Sequence, residues 1–167
     1  MQLRVTLDLP TDVAGAGRML ADPAYVRAKV AATGDVDGEV VVAGTPADGF
    51  TVTTRRSLPT DQIPSQLRSL VGARIDVRQV EAWDEPDVDG RHGTVVVEVV
   101  GAPVRMTGRT SLRAVGPYAC TLTYDGELRA AVPLFGAAGE KAAAGAVRDA
   151  LATEQAVATR WLAEHAV

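Results

Sequence analysis

Residues 132–167 read VPLFGAAGEKAAAGAVRDALATEQAVATRWLAEHAV. Pro133 stops whatever precedes it, no proline comes after it, alanine fills the first half, and apolar residues recur with a helical period of about 3.6. A helix is expected from near Leu134 or Phe135 onward, and at about 1.5 Å per residue it could reach some 45 Å. Placed at about 100° steps, Ala143, Val147, Ala150, Leu151, Val157, Ala158, Trp161 and Leu162 share one broad face, while Lys141, Arg148, Asp149, Thr159 and Arg160 lie away from it. Glu154 falls inside the apolar face, one turn after Ala150 and one turn before Ala158. A buried carboxylate needs a partner or a raised pKa. Arg56 is the candidate partner, because it shares the parity of Phe50 and Val52. The alternative is that Glu154 sits at the rim and reaches water.

Working outward, the rest of the chain offers this helix a surface to cover. QLRVTLDL (residues 2–9) puts Leu3, Val5, Leu7 and Leu9 on one side and polar residues on the other, the pattern of a half-buried strand. Pro10 ends it, and Thr11 or Asp12 can cap a helix. VAGAGRMLADPAYVRAKVAA (13–32) reads as two short helices broken at Ala21–Pro23, with Asp22 as cap, Pro23 at a first helical position and Gly34 as terminator. Strand patterns come next at 36–43, 50–58, 74–83, 93–100, 104–114 and 119–131, with a short helix predicted from Pro64 to Val71. At 104–113, Val104, Met106, Gly108, Thr110 and Leu112 face one way, and Arg105, Thr107, Arg109, Ser111 and Arg113 the other.

No strand–helix–strand rhythm repeats, so consecutive hairpins predict one antiparallel sheet in an α+β chain. About seven curved strands would wrap the C-terminal helix, which alone is long enough to cover their dry side. Small residues on the helix either let the sheet approach or leave space that a ligand can fill. Met106, Leu122 and Tyr124 have the parity of the concave wall. The expected ligand-contacting set is Phe50, Val52, Arg56, Met106, Leu122, Tyr124, Val147, Ala150, Leu151, Glu154, Val157, Ala158 and Trp161.

The chain has 167 residues, the length of one ordinary domain, here residues 1–167. Its formal net charge of −4 argues against a nucleic-acid binder. One cysteine, Cys120, and two histidines, His92 and His165, give neither an internal disulfide nor a zinc set, so no metal or other cofactor is expected. MQLRVTLDLP alternates instead of running apolar, and no stretch of about 18 residues is apolar throughout. No signal peptide, no stable membrane insertion and a cytoplasmic location are the expectations; homo-oligomerisation is left open.

The order of elements resembles the START-like, helix-grip (SRPBCC) superfamily, which includes the birch-pollen allergen group, polyketide cyclases and lipid-transfer domains. Within it, TRRSLPTDQIPSQLRSLVG (54–72), VVGAPVRMTGRTSL (99–112), GELRAAVPLFGAAGEK (126–141) and TRWLAEH (159–165) resemble an uncharacterised bacterial family. The resemblance covers nearly the whole chain. It implies the fold and a ligand cavity between sheet and helix, and it carries over no catalytic residue. LPTDQIP (58–64) departs from the superfamily's plain hairpins and reads as a lid or edge cover.

Other motifs point nowhere specific. GAG at 15–17 has Leu20 where a dinucleotide fingerprint needs Gly or Ala. GAAGEKAAAG (136–145) has the wrong spacing for a phosphate loop, with Ala142 in place of Ser or Thr. No serine sits in a nucleophile elbow. DEPDVDG (84–90) lacks the ordered spacing of a calcium loop and reads as a solvated hairpin. Three functions fit. One is a binding protein for a small hydrophobic molecule: a lipid, a polyketide-like compound or an isoprenoid. Another is a cyclase- or aromatase-type enzyme using Glu154, Tyr124 and Arg56 in the same pocket. The third is a non-catalytic protein–protein module with a filled core.

Overall fold

The structure is a computed structural model; it describes every residue except Val36, Gln62 and Val167. Its elements run β1 (Gln2–Leu9), α1 (Val13–Leu20), α2 (Pro23–Ala32), β2 (Glu39–Thr45), β3 (Gly49–Pro59), α3 (Ser65–Val71), β4 (Arg74–Trp83), β5 (Arg91–Val100), β6 (Val104–Gly116), β7 (Ala119–Ala130) and α4 (Gly136–Glu164). The strands form one antiparallel sheet of order β1-β7-β6-β5-β4-β3-β2. This is the helix-grip architecture that the sequence pattern predicts. Element boundaries differ from the expected ones by a few residues. The strand expected from residue 36 begins at Glu39, its expected first residue lying outside the described residues.

Local chemistry explains the entries to the helices. Asp12 accepts a 2.6 Å hydrogen bond from the Gly15 amide and so caps α1. Asp22 accepts from Ala24 at 2.8 Å, with Pro23 opening α2. β6 and β7 meet closely at Gly108 and Gly126, which are register partners. A Cβ on Gly108 would stand 2.4 Å from the Asp125 carbonyl oxygen, so only glycine allows that approach.

The register places concave-side residues in rows across the sheet. One row is Val5, Tyr124, Thr110, Gly93, Trp83 and Phe50; the next is Leu3, Gly126, Gly108, Val95, Glu81 and Val52. A third joins Leu128, Met106, Val97, Gln79 and Thr54. α4 packs chiefly on β1, β7 and β6, while α2 packs on α4 and β2. The main core gathers Leu7, Leu9, Tyr25, Phe50, Val52, Trp83, Leu112, Leu122, Tyr124, Leu151, Val157 and Ala158. A second, smaller cluster joins Leu3, Met106, Leu128 and Ala144, with Val97, Val104, Ala143 and Val147 half-buried against it. Among the described residues no helix is long and apolar enough to cross a membrane.

Candidate functional site

Several inward-facing positions of the grip are only half-buried beside fully buried neighbours. On β5, Val99 and Val97 are half-buried and Val95 is fully buried. On β3, Arg56 is half-buried, and Thr54 and Val52 are buried. On β4, Gln79 is half-buried before Glu81 and Trp83, although Val77, further along, is covered again. On α4, Gly139 and Ala144 are buried, Ala143, Val147 and Ala150 are half-buried, and Leu151, Glu154, Val157 and Ala158 are buried. All of these residues face inward. The half-buried ones lie between the first half of α4 and the β3–β5 side of the sheet, toward the Val99–Val104 end. The β3–β4 connection that carries α3 leaves the sheet at this same end, beyond the pair Leu58–Ile75.

The LPTDQIP segment, one residue of which (Gln62) lies outside the described residues, is clamped at this end of the sheet. Thr60 donates to the Gly72 carbonyl at 2.6 Å, and Arg68 donates to the carbonyls of Thr60, Asp61 and Ile63.

Further along the inner face there is a buried ionic cluster. Glu154 is 4% exposed, Glu81 2% and Lys29 7%. The Lys29 ammonium lies 3.3 Å from Oε1 of Glu154 and 3.6 Å from Oε1 of Glu81. The Tyr124 hydroxyl lies 3.3 Å and 3.4 Å from the same two oxygens. Gln79 Nε2 donates to Glu81 Oε1 at 2.6 Å and Trp83 Nε1 to its Oε2 at 3.1 Å. Tyr124 and Glu81 stand on strands that are not neighbours, yet they meet because Gly93 and Thr110 leave the row between Tyr124 and Trp83 low. The Tyr25 hydroxyl is buried beside the carboxylates and faces Glu154, without a hydrogen bond of ordinary length.

Burial raises the Glu154 carboxyl above its usual range; the Lys29 charge pulls it back and the Glu81 charge adds to the rise. For Lys29, burial acts to lower the pKa, but Glu154 and Glu81 outweigh it and leave the ammonium held above its usual value. Tyr25 and Tyr124 are both pushed up, first by burial and then by the two carboxylates, so both remain neutral donors.

The partner of Glu154 therefore differs from the sequence-based expectation. Among the described residues Arg56 makes no ion pair with Glu154. It donates weakly to Thr33 Oγ1 at 3.5 Å, and its Nε is buried without a partner. Lys29 takes the place because it comes from α2, which packs directly on α4, whereas Arg56 lies further along β3 and feels the Glu154 and Glu81 charges without pairing with them. Tyr124 and Glu154 do meet. Met106 and Val147 share the smaller core cluster. Phe50, Val52, Leu122, Leu151, Val157 and Ala158 form the closed part of the grip, and Phe50 stacks on Trp83 at 6.2 Å. Trp161 is half-buried at the far end, edge-on to Tyr25 at 5.7 Å and stacked on His165 at 3.9 Å. Sequence reasoning missed Lys29, Glu81 and Tyr25, although the same signal that singled out Glu154 applies to them. Lys29 falls on the buried stripe of α2 with Tyr25, Val26 and Val30, and Glu81 has the parity of Trp83.

Two further hollows lie outside the grip. One, of about 690 Å³, lies on the outer sheet face among Arg4, His92, Thr107, Arg109, Ser111 and Asp125. The other, of about 760 Å³, lies at the end of the sheet near Gly49, Phe50 and Trp83. No group of three or more possible metal ligands is found among the described residues.

This architecture recurs in solved structures. A Thermus thermophilus protein, TTHA0849, superposes with a TM-score of 0.64 at 14% identity, covering 99% of this chain and 100% of that one. The Zhui aromatase/cyclase of a Streptomyces species gives 0.57 at 14% identity, covering 95% and 90%. Human STARD10 gives 0.57 at 14% identity, covering 98% and 66%. At such identities the likeness establishes the START-like fold alone. No curated protein matches. A family model described as "Protein of unknown function (DUF2505)" matches residues 4–162, and the chain belongs to that family.

Proposed function

We propose that this protein binds a small hydrophobic molecule, of the lipid, polyketide-like or isoprenoid class, in the cleft between the sheet and the first half of α4. The observation that supports this is the half-burial of inward-facing aliphatic residues. A wholly filled core would bury Val97, Val99 and Val147 as fully as Val95 and Leu151, yet they are only half-buried. Their walls are aliphatic, and a polar cluster at the inner end would orient a guest, the usual composition of a ligand site. Native mass spectrometry of the purified protein, followed by organic extraction, tests the reading. A retained or readily acquired apolar compound is expected. A protein that carries none, and takes up none from a panel of such compounds, would refute it.

A second reading, a cyclase- or aromatase-type enzyme, is favoured by one contact. Glu154, its carboxyl raised by burial, lies in hydrogen-bond range of the Tyr124 hydroxyl, a pairing suited to proton transfer. Turnover of an accepted substrate that survives Glu154→Gln intact would remove it.

A further inference from the structure

We infer that β2 is an interaction surface for a second copy of this chain, the two β2 strands pairing antiparallel about Val41 so that the sheets join edge to edge. This surface is independent of anything the inner face of the grip binds.

The two edges of the sheet are finished differently. The strand order leaves β1 and β2 with one unpaired side each. A free edge offers main-chain donors and acceptors to another chain, and charged side chains, proline, a bulge or a covering group ordinarily block it. β1 is blocked. It carries Arg4 and Asp8, and Gln155 of α4 lays its carboxamide on Asp8 as the peptide of another strand would. The Asp8 amide donates to Gln155 Oε1 at 2.8 Å, and Gln155 Nε2 donates to the Asp8 carbonyl at 2.6 Å. β2 reads EVVVAGT, with no proline and a single charge at its first residue, and it pairs with β3 without a register shift. Among the described residues, nothing other than β3 hydrogen-bonds its main chain.

The side chains define what this edge lacks. Val40 and Val42 pack against the main core yet stay half-buried, because the sheet stops beside them. Val41, on the outer face, is 60% exposed. A strand that completes the edge needs apolar side chains at alternate positions on the inner face and one between them on the outer face. β2 itself has that pattern.

The register follows from the backbone. Gly44 takes a φ of 90°, which ends the flat stretch and leaves Glu39–Ala43, centred on Val41. Antiparallel pairing about that centre sets Val40 opposite Val42 of the second copy, and Val42 opposite its Val40. Val41 then meets its own counterpart on the outer face. Glu39, the one charge on the strand, stands opposite Ala43, so no like charges face each other. Such a contact is isologous and closes at two chains. Five residues a side is well short of the roughly 20–30 of a standard interface, so the dimer is weak and concentration-dependent.

Sedimentation equilibrium of the whole chain from about 1 μM to about 1 mM spans the affinities expected of so small a contact. The mass is expected to rise with concentration from 17.4 kDa toward that of a dimer. Val41→Lys and Val41→Glu each place like charges opposite one another at the centre, and each should weaken dimerisation at least about fivefold. An equimolar mixture of these two variants should dimerise more readily than either alone. Ala43→Lys, which gains Glu39 of the second copy as a partner at both ends, should tighten the dimer severalfold, whereas Ala43→Glu should loosen it. Both positions are exposed, and circular dichroism confirms that the variants are folded. A wild-type chain that stays monomeric throughout overturns the inference, as do assemblies that grow beyond two chains. A dimer indifferent to charge at Val41, or one that responds alike to Ala43→Lys and Ala43→Glu, is joined elsewhere and overturns it as well.

Discussion

Replacing Lys29 with methionine probes the ionic cluster directly. The side chain is 7% exposed and lies 3.3 and 3.6 Å from two carboxylates, each 4% exposed or less. Methionine keeps most of the volume and removes the charge. It leaves Glu81 and Glu154 buried with only neutral donors in contact, and removing one partner of a buried pair costs about 3–5 kcal/mol. That is a large share of the roughly 5–15 kcal/mol that holds a domain folded. With a urea m-value of about 1–3 kcal/mol/M, the unfolding midpoint should fall by between about 1 and 5 M. Urea titration followed by circular dichroism reads this. Adding Glu154→Gln to Lys29→Met should recover at least about 1 kcal/mol, because one stranded charge is then gone. A Lys29→Met variant within about 1 kcal/mol of wild type would refute the reasoning. It would mean that water reaches the carboxylates and that they are not truly buried.

Three other outcomes are expected from the same geometry. Val147→Trp should narrow the cleft at its half-buried wall, lowering uptake of apolar guests at least about tenfold by native mass spectrometry. It should change stability by less than about 1.5 kcal/mol, since it intrudes on open space more than on packed core. The folded-state pKa of Lys29 is raised above 10.5, so the stability it contributes is complete below pH 10.5 and is lost as pH rises through the raised value. Buried Tyr25 and Tyr124 lose stability over an alkaline window as well, so the loss assigned to Lys29 is the difference between wild type and Lys29→Met in urea midpoints taken from neutral pH upward. Cys120 is 1% exposed and its thiol is pushed up to about 11, first by burial and then by the Asp12 charge. A thiol reagent at pH 8 should therefore label it only on unfolding, and prompt labelling of the native protein would contradict that packing.

Much of the architecture could be read from the chain because its signals are local. Alternation in residues 104–113 assigns Met106, Thr110 and Leu112 to one face, and those residues are the buried ones. The period of α4 places Glu154 among apolar residues, and it is buried there. The partner of Glu154 was harder to identify, because Lys29 lies 125 residues away in sequence. Parity on β3 suggested Arg56, but parity gives only the side of the sheet, not the distance along the strand. Which helix lies over which strands decides that distance. α4 covers β1, β7 and β6 and leans on α2, so the cation comes from α2. Which inward residues stay half-buried was also beyond the sequence, because Val97 and Val95 are the same residue type with the same parity and differ only in what covers them.

The proposed binding function requires that the inner face of the grip admit a guest beside Val97 and Val147, next to the Lys29–Glu81–Glu154 cluster. Methyl-resolved NMR of the valines during titration with 1-octanol tests it most directly. The methyl signals of Val97, Val99, Val104 and Val147 are expected to shift together and saturate, while those of exposed Val41, Val88 and Val115 stay in place. Shifts confined to exposed valines, or a response absent at Val97 and Val147, would contradict it.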